Sequence, residues 1–290
     1  LPERFSGMWN AVVGATLVDN APTPHIVIPT SILFGASIIT LVGFLDDVYG
    51  ISPPVKVGGQ IFAAALLAAE DVGTQLAAGI IRSVGSLTAY PEMFAQWASI
   101  GDPTWAYPVY WIGAGMVVVF VVGGCNATNL LDGLDGLASG VTAIVATGFA
   151  VISVCLAMGL YTGYAYSPIL DPVRIAMCMA LLGATLGLLP YNFTPATIFM
   201  GDAGSMLLGF LCASTILLFA EKADPALVMA ALIVFALPII DTAVAIVRRK
   251  LQGMPIFSPD NRHLHHQLIR TGMSVRQAVI TLYIMAFSFA

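Results

Sequence analysis

The chain has 290 residues, 58% of them hydrophobic and 9% charged, with a net charge of −5 and a mean hydropathy of +0.90. A soluble domain carries about 25% charged residues, so this composition excludes one and indicates an integral membrane protein. The acidic balance, with pI near 5.2, gives no footing for a nucleic-acid partner.

Leu1 to His25 is mixed, and its apolar piece Met8–Val18 is too short to cross a bilayer, which takes about 20 residues. No signal peptide is visible, and a chain opening at Leu1 rather than Met is expected to lack an upstream piece. Ile26–Leu45 is an uncharged first span ending at Asp46-Asp47; after the turn residues Tyr49 to Pro54 and Lys56 comes a short second span, Val57–Ala69. Glu70–Thr104 reads as an extramembrane connection with some amphipathic helix or hairpin, and Trp105–Gly123 as a third span. Next stands Gly124–Gly140, GCNATNLLDGLDGLASG, with Asn126, Asn129, Asp132 and Asp135 three residues apart. Steps of three on a 3.6-residue helix turn 300° each, so these groups spread over half a circumference. Gly133 and Gly136 each weaken a helix by roughly 1 kcal/mol. The stretch therefore reads as a helix end opening into a loop. Spans follow at about Leu137–Leu160, Val173–Leu189, Gly204–Ala220 and Ala226–Val247, where Arg248-Arg249-Lys250 ends the run. Residues 251–274 form a polar loop holding HLHH at His263–His266, and a last span starts near Val275. The expectation is an all-α fold of about eight transmembrane helices forming one domain. Cys125, Cys155, Cys178 and Cys212 lie in or beside apolar runs and read as small buried hydrophobes.

If each run crosses once, the ends of spans one, three, five and seven share a face. That face collects Asp46-Asp47, Asn126–Asp135, Asn192–Asp202 and the histidine loop. It also collects Lys56, Arg248, Arg249, Lys250, Arg262, Arg270 and Arg276, against Arg82, Arg174 and Lys222 opposite. The positive-inside bias makes it cytoplasmic, and the clusters are expected to form one site.

Each cluster has a chemical and a plain reading. Dense amides and carboxylates at Asn126–Asp135 suit a hard cation carrying phosphates, or simply cap two helices. Asp46 and Asp47 repel unless a cation or a lysine shares their site, or are two solvated carboxylates at a membrane edge. Lys56 offers a point charge for phosphate or an anchor. Asp202, in Phe-Met-Gly-Asp-Ala-Gly-Ser, opens a helix whose N-terminus favours phosphate, or is only its cap. Phe199 could stack on a base or pack in a core. His263, His265 and His266, beside Asp260 and Arg262, suit phosphate contact, acid–base work or zinc. Asp241, nearly two turns inside the membrane from Arg248, is either functional or a paired carboxylate.

Four segments in order, GFLDDVYGISPPVKVGGQ (43–60), NATNLLDGLDGLASG (126–140), NFTPATIFMGDAGS (192–205) and DTAVAIVRRKLQGMPIFSPDNRHLHHQL (241–268), resemble the polyprenyl-phosphate N-acetylhexosamine-1-phosphate transferases. The HLHH form resembles the branch that moves GlcNAc-1-phosphate from UDP-GlcNAc to undecaprenyl phosphate, rather than the branch using UDP-MurNAc-pentapeptide. The family's first helices and a basic segment after the first have no clear counterpart. The resemblance implies a bacterial inner-membrane enzyme, its site facing the cytoplasm, which initiates cell-envelope glycan synthesis with Mg²⁺ or Mn²⁺ and forms a homodimer. It implies that Asp202 ligates the metal, that Asp46 acts on the lipid phosphate, and that Asp47 supports the metal or Lys56. Asn126, Asn129, Asp132, Asp135 and Asn192 would position nucleotide and metal, Phe199 would lie on the uracil, and Arg262, His263, His265 and His266 would hold the sugar diphosphate.

Two other classes compete. A cation- or proton-coupled transporter would need carboxylates through the bilayer, and only Asp241 approaches that depth. A CDP-alcohol phosphotransferase would need Arg where Asp135-Gly136-Leu137-Ala138 continues with Ser139.

Overall fold

The structure is a computed structural model and describes residues 28–97, 103–162, 164, 166–167, 169–254 and 263–290; Asp260 and Arg262 lie outside these. Among the described residues there is no strand, so the fold is all-α. The helices are α1 (Thr30–Tyr49), α2 (Pro53–Ala69), α3 (Gln75–Ser86), α4 (Pro91–Trp97), α5 (Pro103–Leu131) and α6 (Leu137–Ala157). They continue with α7 (Leu170–Asn192), α8 (Gly201–Phe219), α9 (Pro225–Val234), α10 (Ala236–Leu251), α11 (Leu264–Arg270) and α12 (Val275–Phe289).

Five helices, α1 and α5 to α8, are long and apolar enough to cross a bilayer, so the chain is a multi-pass membrane protein. The expected eight spans are revised in three places. The run 226–247 is not one straight rod, because α9 and α10 meet at Phe235 with an 80° bend. The α2 and α12 helices have 17 and 15 residues, about 26 and 23 Å at 1.5 Å per residue, short of a core about 30 Å thick. The third expected span, α5, runs on past Gly123 to Leu131. Its glycines persist there because Gly124 faces Gly209 of α8, where a Cβ on either residue would sit 2.8 or 2.3 Å from the other's carbonyl oxygen. Small residues let membrane helices close to backbone contact. As expected, 70–104 holds a short helical pair, and α4 buries none of its residues.

Helix α8 is the axis of the bundle. It packs against α1, α5 and α7, and 72% of its apolar window is buried. Two apolar clusters meet on it. One is built from α6, α7, α9 and α12, around Phe149 and Phe219; the other joins α1, α2 and α5, around Ile39, Leu67 and Phe210.

The polar groups lie in two layers, one at each end of this slab. At one end Glu70, closing α2, accepts from Ser31 N at 3.0 Å and from Thr30 Oγ1 at the start of α1. Beside it Glu221 accepts from Gly73 N at 3.2 Å. The Arg174 guanidinium, fully buried, pairs with Asp171 at 2.7 Å and donates to the Leu218 carbonyl at the end of α8. Its Nη1 also donates to Tyr164 Oη at 2.6 Å. This layer locks helix ends; the layer at the other end gathers Asp46, Lys56, Asn129 and Asp202.

Candidate active site

Helix α1 delivers Asp46 and Asp47 one turn before it stops at Gly50, whose left-handed φ of 64° lets its N–H close back on the Asp46 carbonyl. Pro53 and Pro54 start α2 at once, with preset φ at positions whose N–H groups need no partner. The hairpin puts Lys56 in the first turn of α2, facing back toward α1. Its Nζ bonds to the Asp46 carboxylate and to Asp202 Oδ2, the latter at 2.6 Å. Asp47 points elsewhere, as adjacent helical residues must. Both its oxygens accept from the opening of α8, from Asp202 N at 2.8 Å and Ala203 N at 3.0 Å. Asp47 therefore caps α8, while Asp46 and Asp202 share one cation.

From α5, Asn129 Nδ2 donates to Asp202 Oδ1 at 2.9 Å and to Ser205 Oγ at 3.0 Å. Asn126, a turn earlier, donates to Gln60 Oε1 at 2.8 Å and to the Val122 carbonyl. Three segments far apart in sequence thus converge on Asp202. Oxygen donors of this kind suit Mg²⁺, which takes one or two carboxylates and completes its shell with water and substrate phosphates. Among the described residues no three acidic, His or Cys side chains converge to hold a metal alone. Asp46 and Asp202 already flank a positive charge, so the donor set fits; Asp47 has its oxygens committed to main-chain amides.

The turn 132–136 between α5 and α6 forms the wall beside this cluster. Asp132, Gly133, Leu134 and Asp135 line a cleft of about 200 Å³ with Asn192, Phe199 and Met200. Burial, and then the charges of Asp202, Asp135 and Asp47, push the Asp132 carboxyl up to about 7. Phe199 is 74% exposed at the rim and so is not a core residue. Asp135 and Asn192 shape the cleft from behind. Asp135 accepts from Ala196 N at 3.0 Å; Asn192, buried, accepts from Ser139 Oγ and Gly136 N and donates to the Ile198 carbonyl. Their polar groups hold the loop that carries Phe199. A larger, apolar hollow of about 420 Å³ lies on the outer side of α10 and includes none of these residues.

The histidines reach the same turn from the other side. A Cβ on Gly133 would lie 2.5 Å from His265 Nε2, so the ring rests on that glycine. His265 is 2% exposed, and among the described residues neither ring nitrogen has a hydrogen-bond partner. Burial, and then the neighbouring His266, lower its pKa to about 4, so it is neutral at pH 7. His263 is buried parallel to it, ring centroids 5.8 Å apart, and His266 is half-buried at 4.2 Å.

The profile of glycosyl transferase family 4 matches residues 29–220, about two thirds of the chain. The chain belongs to that family. It is 34% identical over 262 residues to a probable undecaprenyl-phosphate N-acetylglucosaminyl 1-phosphate transferase of Bacillus subtilis, covering 90% of this chain and 64% of that protein. It is 34% identical over 269 residues to a decaprenyl-phosphate N-acetylglucosaminephosphotransferase of Mycolicibacterium smegmatis, covering 88% and 60%. With an undecaprenyl-phosphate alpha-N-acetylglucosaminyl 1-phosphate transferase of Escherichia coli the identity is 30% over 255 residues, covering 87% and 61%. The chain thus spans slightly under two thirds of the length of these relatives. Within this glycosyl transferase family 4 member, the match takes in the carboxylate cluster and the cleft; the histidine segment lies beyond it.

Sequence reasoning passed over two residues. Gln60 and Ser205 each bond to one of the two asparagines. Gln60 was findable: it stands one turn after Lys56 in an otherwise apolar helix. Asp241 drew notice for its depth but was given no place among the site residues.

Proposed function

We propose that this chain transfers GlcNAc-1-phosphate from UDP-GlcNAc to undecaprenyl phosphate or a similar polyprenyl phosphate, releasing UMP. The observation that carries the reading is the convergence of Asp46, Lys56, Asn129 and Asp202 on one point beside the Phe199 cleft. An oxygen of the lipid phosphate attacks the β-phosphorus of the UDP-sugar; a P–O bond forms, the bond to the bridging oxygen breaks, and UMP departs with that oxygen. Both reactants are anions, so the site must supply positive charge before they can meet. Mg²⁺, held by Asp202 with Asp46, would neutralise the diphosphate and polarise it. Lys56 supplies a second positive charge to the same phosphates. A phosphate monoester is mostly a dianion at pH 7, its second pKa being about 6. The acceptor therefore needs orienting more than deprotonating, and Asp46 serves the metal and Lys56 rather than acting as an obligatory base.

Asn129 fixes the rotamer of Asp202, and Asp47 fixes the end of α8 on which it stands. Phe199, exposed at the rim, offers a face for the uracil. His265, neutral and buried against Gly133, backs the 132–136 turn that lines the cleft and adds no charge. The excess of basic residues counted toward this end, Lys56, Arg248–Lys250 and Arg270 among them, supports its facing the cytoplasm from a bacterial inner membrane. The distribution of buried charge among the described residues speaks against a transporter: Asp171 and Arg174 lie in the first turns of α7, Arg249 lies near the end of α10, and the one deeper carboxylate, Asp241, is spent on His263 and Leu264 N. The purified chain, given undecaprenyl phosphate, Mg²⁺ and a panel of UDP-sugars, is expected to release UMP with UDP-GlcNAc. Asp202→Asn is expected to abolish release while retaining the parent's thermal transition. Release that persists in Asp202→Asn with a chelator present would overturn the assignment of the metal.

A further inference from the structure

Helix α10 turns an exposed apolar side outward through Ile240, Val244 and Val247, and an inward stripe of Leu237, Asp241, Ala245 and Arg249 at four-residue spacing. In that stripe Asp241 is 4% exposed, and a carboxylate there needs partners for both oxygens. It finds both at one place. Oδ2 lies 3.0 Å from His263 Nδ1, and Oδ1 accepts from Leu264 N at 2.9 Å. The carboxylate so grips the start of α11 by side chain and main chain together. A carboxylate only accepts, so the proton in this contact sits on His263 Nδ1, which donates it. One residue further, α11 seats His265 on Gly133, in the turn that lines the cleft. The 80° break at Phe235 sets the direction of α10 and hence where this grip falls.

We propose that Asp241 is a positioning residue for the transfer reaction: through His263 and the first amide of α11 it holds the histidine-bearing helix against the 132–136 turn. It touches neither substrate nor metal. Its effect belongs to turnover rather than to donor affinity, since the carboxylate cluster and Phe199 are held by other elements. The inference rests on the transferase reading above, and a readout that needs no activity separates the two.

The test compares Asp241→Ala, Asp241→Asn, His263→Ala and the Asp241→Ala/His263→Ala double variant in the full chain. Asp241→Ala is expected to lower kcat by about 10- to 100-fold, the usual range for partners that orient a working side chain, with KM for UDP-GlcNAc within about twofold. Asp241→Asn keeps one accepting oxygen and is expected to recover part of that loss. The double variant is expected to be no slower than the worse single one by more than about threefold, because both remove one contact. In parallel, hydrogen exchange of the 263–270 segment is expected to quicken at least about tenfold in Asp241→Ala, while α8 stays protected. Losses that multiply in the double variant, or parental kcat in Asp241→Ala, overturn the proposal. Unchanged exchange at 263–270 overturns it whether or not the parent turns over any UDP-sugar. A parent that releases no UMP, with exchange quickened as expected, removes the transferase reading and leaves the anchoring intact. An Asp241→Ala chain that exchanges throughout, α8 included, also overturns it, unless Asp241→Asn, folded, shows the same local quickening and loss of kcat.

Discussion

Replacing Gly43 by Ala tests whether one helix contact sets the spacing of the Asp46 and Asp202 carboxylates. Gly43 lies one turn before Asp46 and Asp47, where α1 crosses the start of α8. A Cβ built there would stand 2.4 Å from Ala203 Cα, 2.6 Å from Ala203 N and 2.7 Å from the Asp202 carbonyl oxygen. All three are main-chain atoms, so no rotamer can yield. Ordinary contact begins about 1 Å further out, and α1 must shift by that much. The Asp47 bonds to Asp202 N and Ala203 N, at 2.8 and 3.0 Å, would stretch beyond hydrogen-bond range. Overpacking costs about 1–3 kcal/mol, and two bonds to a charged acceptor contribute about 1.5–3 kcal/mol each when made. The shift also parts Asp46 from Asp202, and a misplacement of 1 Å can cost about 100-fold in rate. Gly43→Ala is therefore expected to cut UMP release at least about 100-fold and to lower the melting temperature measurably. Gly183→Ala in α7, with nothing within 4 Å of the added carbon, is the control and is expected to match the parent. Parental turnover in Gly43→Ala would refute the claim that this contact sets the distance between Asp46 and Asp202.

Lys56→Met is expected to tighten Mn²⁺ binding measured by electron paramagnetic resonance without substrates, because the ammonium competes for Asp46 and Asp202; unchanged or weaker binding would speak against a shared position. Asp132 gives a pH signature. Its carboxyl titrates near 7 in the fold against an ordinary 3.8, so its contribution to stability is full below about 3.8 and is lost as pH rises through 7. The melting temperature of the metal-free protein should fall from pH 5 to 8, less so in Asp132→Asn, and Mg²⁺ should move the fall to lower pH. Glu221, also pushed to about 7 by burial but at the opposite end of the bundle, contributes the same sign, and its share, removed by Glu221→Gln, should ignore Mg²⁺. Arg174→Ala leaves Asp171 charged and buried and is expected to cost about 3–5 kcal/mol in denaturant unfolding, with KM unchanged in what remains folded.

Most of the membrane architecture was legible because the bilayer writes it in composition: uncharged runs of some 20 residues have few other uses. The gathering of Asp46, Asn129 and Asp202 at one end was legible for a related reason. Counting crossings needs only the number of helices between two motifs, and the inclusion of α2 and α9–α10 as single crossings kept the parity right despite their short or broken form. What the sequence left open was which oxygen does what. Asp46 and Asp47 are chemically identical neighbours, and a separation of about 100° on α1 sends one to Lys56 and the other to the amides of α8. The choice depends on the rotation of α1 against α8, which Gly43 permits and no local pattern announces. The same holds for Asp135 and Asn192. Both carry the groups expected of ligands, yet Asp135 accepts from Ala196 N, and Asn192 donates to the Ile198 carbonyl and accepts from Gly136 N and Ser139 Oγ, because the turns on either side leave main-chain groups that need partners. Asp241 is the converse case. Its depth marked it as costly, and a buried carboxylate can persist only with partners. The partner, His263, lay 22 residues on across the polar loop, where no helical period links one to the other. The carboxylates that spacing could find are those at the ends of straight helices; the ones it could not assign are those whose partners arrive by a bend or a loop.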